Sequence, residues 1–108
     1  MLGFILKRKA GHIAEDAQLL ARRSGFKCTL LALGAYDVDP RLLQFVVQVP
    51  TDAERDKLRE RQAFAEGLKE LLVKHGWPES ARDDVVFHIE SQETVDRENE
   101  GNWAYRFG

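Results

Sequence analysis

The chain has 108 residues, 44% hydrophobic and 31% charged, with a formal net charge of −2. That is enough chain for one core and one domain, and the balance is globular, not disordered. The small net charge makes no overall case for a nucleic-acid or membrane partner, and no apolar run approaches the roughly 20 residues that span a bilayer.

Taken in chain order, the hydrophobic period changes repeatedly. Leu2, Phe4 and Leu6 alternate, which predicts a strand over about 1–7. Leu2, Leu6, Ile13, Ala17 and Leu20 also fit a helix running from the start, but Gly11 interrupts it and decides for the strand. From about Gly11 to Ser24, the residues Ile13, Ala17, Leu20 and Ala21 form one helical stripe. Glu15 and Asp16 near its start and Arg22 and Arg23 near its end suit the helix dipole, and Gly25 is the natural stop. From Phe26 the period drops to two. Phe26, Cys28, Leu30 and Ala32 share one face; Lys27, Thr29, Leu31 and Leu33 share the other. Apolar residues on both faces predict an interior strand. Asp37, Asp39 and Pro40 then supply turn chemistry. Over about Leu42 to Val49, Leu43, Phe45, Val47 and Val49 oppose Gln44, Val46 and Gln48, which gives a second strand of a hairpin.

Pro50 ends that strand, and Thr51-Asp52-Ala53-Glu54 reads as a capping box. The helix it opens is predicted to run to about His75, ending at Gly76 and Pro78. Its stripe is Leu58, Ala65, Leu68 and Leu72, widened by Phe64 and Leu71. At about 35 Å it outruns the sheet, so its first two turns should overhang. Val85, Phe87 and Ile89 alternate with Val86, His88 and Glu90 in a further strand. Residues 91–101 form a long polar loop. Trp103, Tyr105 and Phe107 predict a closing strand.

The resulting order is β-α-β-β-α-β with an additional C-terminal strand. It resembles the ferredoxin-like fold, an α+β two-layer sandwich in which an antiparallel sheet carries two helices on one face. The resemblance covers the chain but is topological, and the fold hosts many unrelated functions. The other sheet face is predicted to carry Lys27, Thr29, Leu31, Leu33, Gln44, Val46, Gln48, Val86, His88 and Glu90. It is too apolar for a simply solvated face, and such patches mark partner or ligand surfaces. The competing account is that the extra strand or the 91–101 loop folds over it.

Charge is unevenly placed. Residues 1–27 carry six basic side chains against two acids; residues 79–108 carry eight acids against three arginines. The basic set, including Lys7, Arg8 and Lys9, is modest, lacks an aromatic ladder and is opposed by the acidic end, so nucleic acid is the disfavoured partner. No GxGxxG or GxxxxGK[ST] loop occurs. His88 and Glu90 share a strand face and are the weak catalytic candidates, yet a structural or solvated pair is the commoner use of His-x-Glu. His12 with Glu15 has metal-ligand spacing, but capping and surface charge explain it better; His75 suits a helix end. The one cysteine, Cys28, excludes an internal disulfide and reads as a buried, inert thiol. No metal or cofactor is expected. A soluble protein of a reducing cytoplasm is the default expectation.

The segment from Glu90 to Trp103 draws most attention, being acidic and flanked by aromatics. Trp77, Trp103 and Tyr105 read either as partner anchors or as the closing of a small core. Together these features predict a non-enzymatic interaction domain of a bacterial or phage protein, of the inhibitor, immunity or regulatory-subunit kind. Its partner-binding residues would be Leu31, Leu33, Val46, Gln48, Glu93, Asp96, Glu98, Glu100 and Trp103, and a homodimer through the same face is a further expectation. The alternatives are a small-ligand or enzyme cleft around His88 and Glu90, and nucleic-acid binding by the basic N-terminal region.

Overall fold

A computed structural model describes residues 2–108. Helix α1 spans Leu2–Arg23 and leads into strand β1, Thr29–Leu33. A one-turn 3-10 segment, Pro40–Leu42, precedes strand β2, Gln44–Val49. Helices α2 (Asp52–Glu60) and α3 (Gln62–Lys74) follow, then a 3-10 segment at Glu79–Asp84 and strand β3, Val86–Ser91. Helices α4 (Gln92–Asn99) and α5 (Trp103–Phe107) close the chain.

The protein is α+β, with a three-stranded sheet in the order β1-β2-β3. β1 and β2 form an antiparallel hairpin, and β2 and β3 are parallel, joined by the helical crossover. The register sets Leu31, Val46 and His88 side by side, and Leu30, Val47 and Ile89 in the next row. The alternation read for these three strands therefore holds. Leu30, Phe45, Val47 and Val49 point into the core, where the α1 stripe of Leu6, Ala10, Ile13, Ala17 and Ala21 meets Phe64, Leu68 and Leu72 of α3.

The ferredoxin-like order does not form, because both terminal strands are helices. At the N-terminus, the 4-3-4-4 spacing of the buried α1 residues buries five side chains, whereas the Leu2-Phe4-Leu6 alternation buries only Leu6. Gly11 is tolerated because it faces open space, at a cost of about 1 kcal/mol relative to alanine. At the C-terminus, the expected polar loop is α4. The Ser91 hydroxyl caps it by accepting from the Thr94 amide at 3.1 Å. Glu100, left-handed at φ 56°, ends it. Asn102 then caps α5 by accepting from the Ala104 amide at 2.9 Å.

The long helix expected from residue 52 breaks at Arg61, whose ψ of 94° is extended. No glycine or proline sits there. Leu58 and Phe64 are six residues apart, which puts them on different faces of a continuous helix. The break lets both enter the core, at 1% and 2% exposure. It also swings α2 against β3, so its first turns do not overhang. The Arg61 guanidinium settles over the Phe26 ring, 5.2 Å from its centre.

Candidate functional site

The second face of the sheet carries Leu31, Leu33, Val46, His88 and Glu90, as the alternation predicts. It is not open across its width, because α5 lies on it. Trp103 and Phe107, one helical turn apart, stack with ring centres 6.1 Å apart. Phe107 also meets the His88 ring at 5.1 Å. The Trp103 indole N–H is tied down, donating to the Gln92 side-chain oxygen at 2.8 Å. Val46, expected on the exposed face, is consequently fully buried.

On the β1 side of α5 lies an apolar groove of about 190 Å³. Leu31 and Leu33 form one wall and Trp103, Ala104 and Phe107 the other, with Val46 as the floor. Leu31 remains 39% exposed. Gln48 stands outside this groove. It lines a wider furrow at the end of the sheet with Arg22, Lys27, Cys28, Pro50 and Trp103. Cys28 is buried there, and burial pushes its thiol pKa up, which disfavours the reactive thiolate.

On the β3 side of α5 lies a polar cleft of about 400 Å³, lined by Arg59, Phe87, His88, Ile89, Glu90, Arg106 and Phe107. His88 shares a hydrogen bond with the Gln44 side chain, 2.9 Å away. Glu90 is buried and surrounded by guanidinium groups. Arg55 Nη1 donates to its Oε1 at 2.8 Å, Arg106 Nη2 lies 3.1 Å from Oε2, and Arg59 Nη2 lies 3.7 Å from it. The Ser91 amide donates to Oε1 as well. Burial alone raises the Glu90 pKa, but the bonds from Arg55 and Ser91 and the charge of Arg106 outweigh it, so the net shift is downward. Glu90 is thus held ionised, its Oε1 bonded to Arg55 and Ser91 and its Oε2 facing Arg106 and Arg59.

A second carboxylate joins the same network. Asp52, at the start of α2, accepts from the Ser91 and Thr94 hydroxyls and from Arg97. These partners lower its pKa to about 2. Thr94 Oγ1 in turn accepts from Arg55 at 2.7 Å. The network bolts α2, β3, α4 and α5 together.

The acidic residues divide by role. Glu93 turns back to accept from the Asp52 amide at 2.9 Å, capping α2. Glu98 lies 3.8 Å from both Arg97 and Arg106, and Asp96 accepts from Gln92. Glu93, Asp96 and Glu98 on α4 and Glu100 at its end all remain exposed. Trp77, by contrast, is fully buried and donates to the Pro40 carbonyl, so it closes the core. His12 is not at a helix start but in the middle of α1, 6.1 Å from the His75 ring. Asp16 joins them, 2.7 Å from His75 and 3.2 Å from Lys74. Among the described residues no group of His, Cys, Asp and Glu has metal-binding geometry, and no helix is long and apolar enough to cross a membrane.

The basic N-terminal set is dispersed along α1. Lys7 pairs with Asp37, Lys9 donates to the Gly76 carbonyl, and Arg8 stacks on Phe4. The arginines around Glu90 went unforeseen because they come from positions 55, 59 and 106, with nothing in the local pattern to connect them. No family model matches the chain, and no curated protein or solved structure matches it.

Proposed function

We propose that this chain is a non-enzymatic interaction domain, regulatory or inhibitory in role, that receives a protein partner on the second face of its sheet. The observation that carries the reading is the apolar groove between β1 and α5. At about 190 Å³ it is smaller than the usual small-molecule site and suits one bulky side chain of a partner segment. The acidic face of α4, which packs beside α5, favours a partner whose apolar anchor is flanked by lysine or arginine. Glu90 favours the same reading: its Oε1 already accepts from Arg55 and Ser91 and its Oε2 lies among Arg106 and Arg59, which commits it to holding elements together.

A photo-crosslinking amino acid at Leu33, compared with one at Lys69 on the far side of α3, tests the reading in living cells. The expected result is a discrete adduct to a different protein from Leu33 alone, lost in a Phe107→Ala background and weakened by Asp96→Lys. Adducts of equal yield from both positions, or none from Leu33, would overturn it. A second reading takes the cleft around His88 as a small-anion site, since Arg59 and Arg106 line it. Phosphate or acetate that shifts the His88 ring resonances, with saturation, would favour that reading; unmoved resonances would remove it.

A further inference from the structure

The two edges of the sheet are treated differently. The β3 edge is covered by α2, and Arg59 donates twice to the Ile89 carbonyl, at 2.6 and 3.1 Å. The β1 edge has no such cover. The Val86 amide donates to the Leu43 carbonyl, so odd-numbered residues of β2 aim their backbone groups at β3 and even-numbered ones at β1. Through the register, Thr29, Leu31 and Leu33 turn their backbone groups inward to Gln48, Val46 and Gln44. Leu30 and Ala32 therefore aim theirs away from the sheet. Among the described residues no hydrogen bond reaches them from outside the β1–β2 ladder. Thr29-Leu-Leu-Ala-Leu33 contains no lysine, proline or bulge, the devices that usually protect such an edge.

We propose that β1 pairs antiparallel with β1 of a second copy, about a two-fold axis at Leu31, to make one continuous six-stranded sheet. In that register Leu30 of one copy and Ala32 of the other exchange hydrogen bonds, twice over. Leu31 faces its own counterpart, and Thr29 faces Leu33, all on the second sheet face. Charge favours this pairing. Arg22, Arg23 and Lys27 precede the strand, whereas Asp37, beside Lys7, and Asp39, paired with Arg41, follow it. Antiparallel pairing keeps the two basic ends apart, whereas parallel pairing would set them side by side. A two-fold interface also closes on itself, leaving no further edge of this kind.

The inference rests on the backbone edge and shares Leu31 and Leu33 with the groove wall. Phe107→Ala, which strips the groove and leaves the edge, should leave the dimer intact, and loss of the dimer there would overturn edge pairing. Sedimentation of the full chain from low micromolar to near millimolar concentration is expected to show a monomer–dimer equilibrium. Leu31→Lys places like charges face to face and should weaken the dimer by roughly tenfold or more, with an unchanged circular dichroism spectrum. In a Cys28→Ser background, Leu31→Cys should oxidise to a disulfide dimer, since non-hydrogen-bonded antiparallel pairs sit within disulfide reach. Gln48→Cys, on β2, should not. A monomer throughout the series overturns the proposal, as does a dimer that Leu31→Lys leaves intact. Should Leu31→Lys fail to fold, crosslinking of Leu31→Cys no faster than Gln48→Cys overturns it equally.

Discussion

Glu90 is an unusual residue to find at the end of a strand, since a buried carboxylate is costly unless fully paired. Here three arginines and a backbone amide surround it, and the cost appears when they lose it. Arg55 is only 16% exposed; without Glu90 it keeps Asp56, Asp52 and Thr94 but loses its shortest ion pair. Glu90→Ala is expected to cost about 2 kcal/mol, the loss of charge-assisted hydrogen bonds, read as a lower urea midpoint with an unchanged slope. The same substitution should also loosen α5, because Arg106 loses its partner there. A second position is decided by backbone geometry. Gly34 has φ of +95°, and a Cβ there would sit 2.1 Å from the Leu42 carbonyl oxygen. Gly34→Ala is expected to cost more than about 1 kcal/mol in the same denaturation experiment, from strain and collision together.

At the scale of elements, the caps hold the helices to the sheet. Ser91 ends β3, caps α4 and donates to Asp52 at the start of α2. Loss of an N-cap hydroxyl costs about 1 kcal/mol, and Ser91→Ala also deprives Asp52 of a donor. It should therefore be more damaging than Thr51→Ala, which removes the cap of α2 alone. Paired thermal melts of the two variants decide this. The elements also differ in how far they could be read from sequence. β1, β2 and β3 were legible, faces included, because large apolar side chains alternate over five or six residues. The terminal elements were not. Leu2, Phe4 and Leu6 satisfy a period of two, yet only Leu6 is buried. Trp103 and Phe107 are four apart, which suits either a strand face or a helix face. The break at Arg61 carried no turn residue to announce it; only the mismatched phase of Leu58 and Phe64 did. Half of the candidate site followed from the strand pattern, since Leu31, Leu33 and Val46 do share a face. The wall supplied by α5 did not, because it depended on reading residues 91–107 as helices.

For the molecule as a whole, ionised carboxylates tie distant segments together. Asp52, Glu90 and Asp16 all have folded-state pKa values below their ordinary ones. A depressed carboxylate adds stability that is fully present above its unfolded pKa, near 4, and is lost as pH falls through its folded value. Stability should therefore hold to about pH 5 and decline steadily toward about pH 2, where Asp52 becomes protonated. Denaturation midpoints measured across that range check the sign; a rise on acidification would contradict the network described for Asp52 and Glu90. Removing Arg97 or Arg106 should flatten the decline. The molecule measures 40 × 29 × 19 Å along its principal axes.

The five residues of α5 are too few to be a stable helix on their own. What keeps them in place is two aromatic rings and the bonds of Trp103 and Arg106. Such a flap opens far more often than the domain unfolds. Its amides should lose protection against deuterium well before those of β2, at a rate insensitive to mild denaturant. Each opening uncovers Val46 and erases one side of the recess, so any visitor seated there would slow that exchange merely by holding the flap shut.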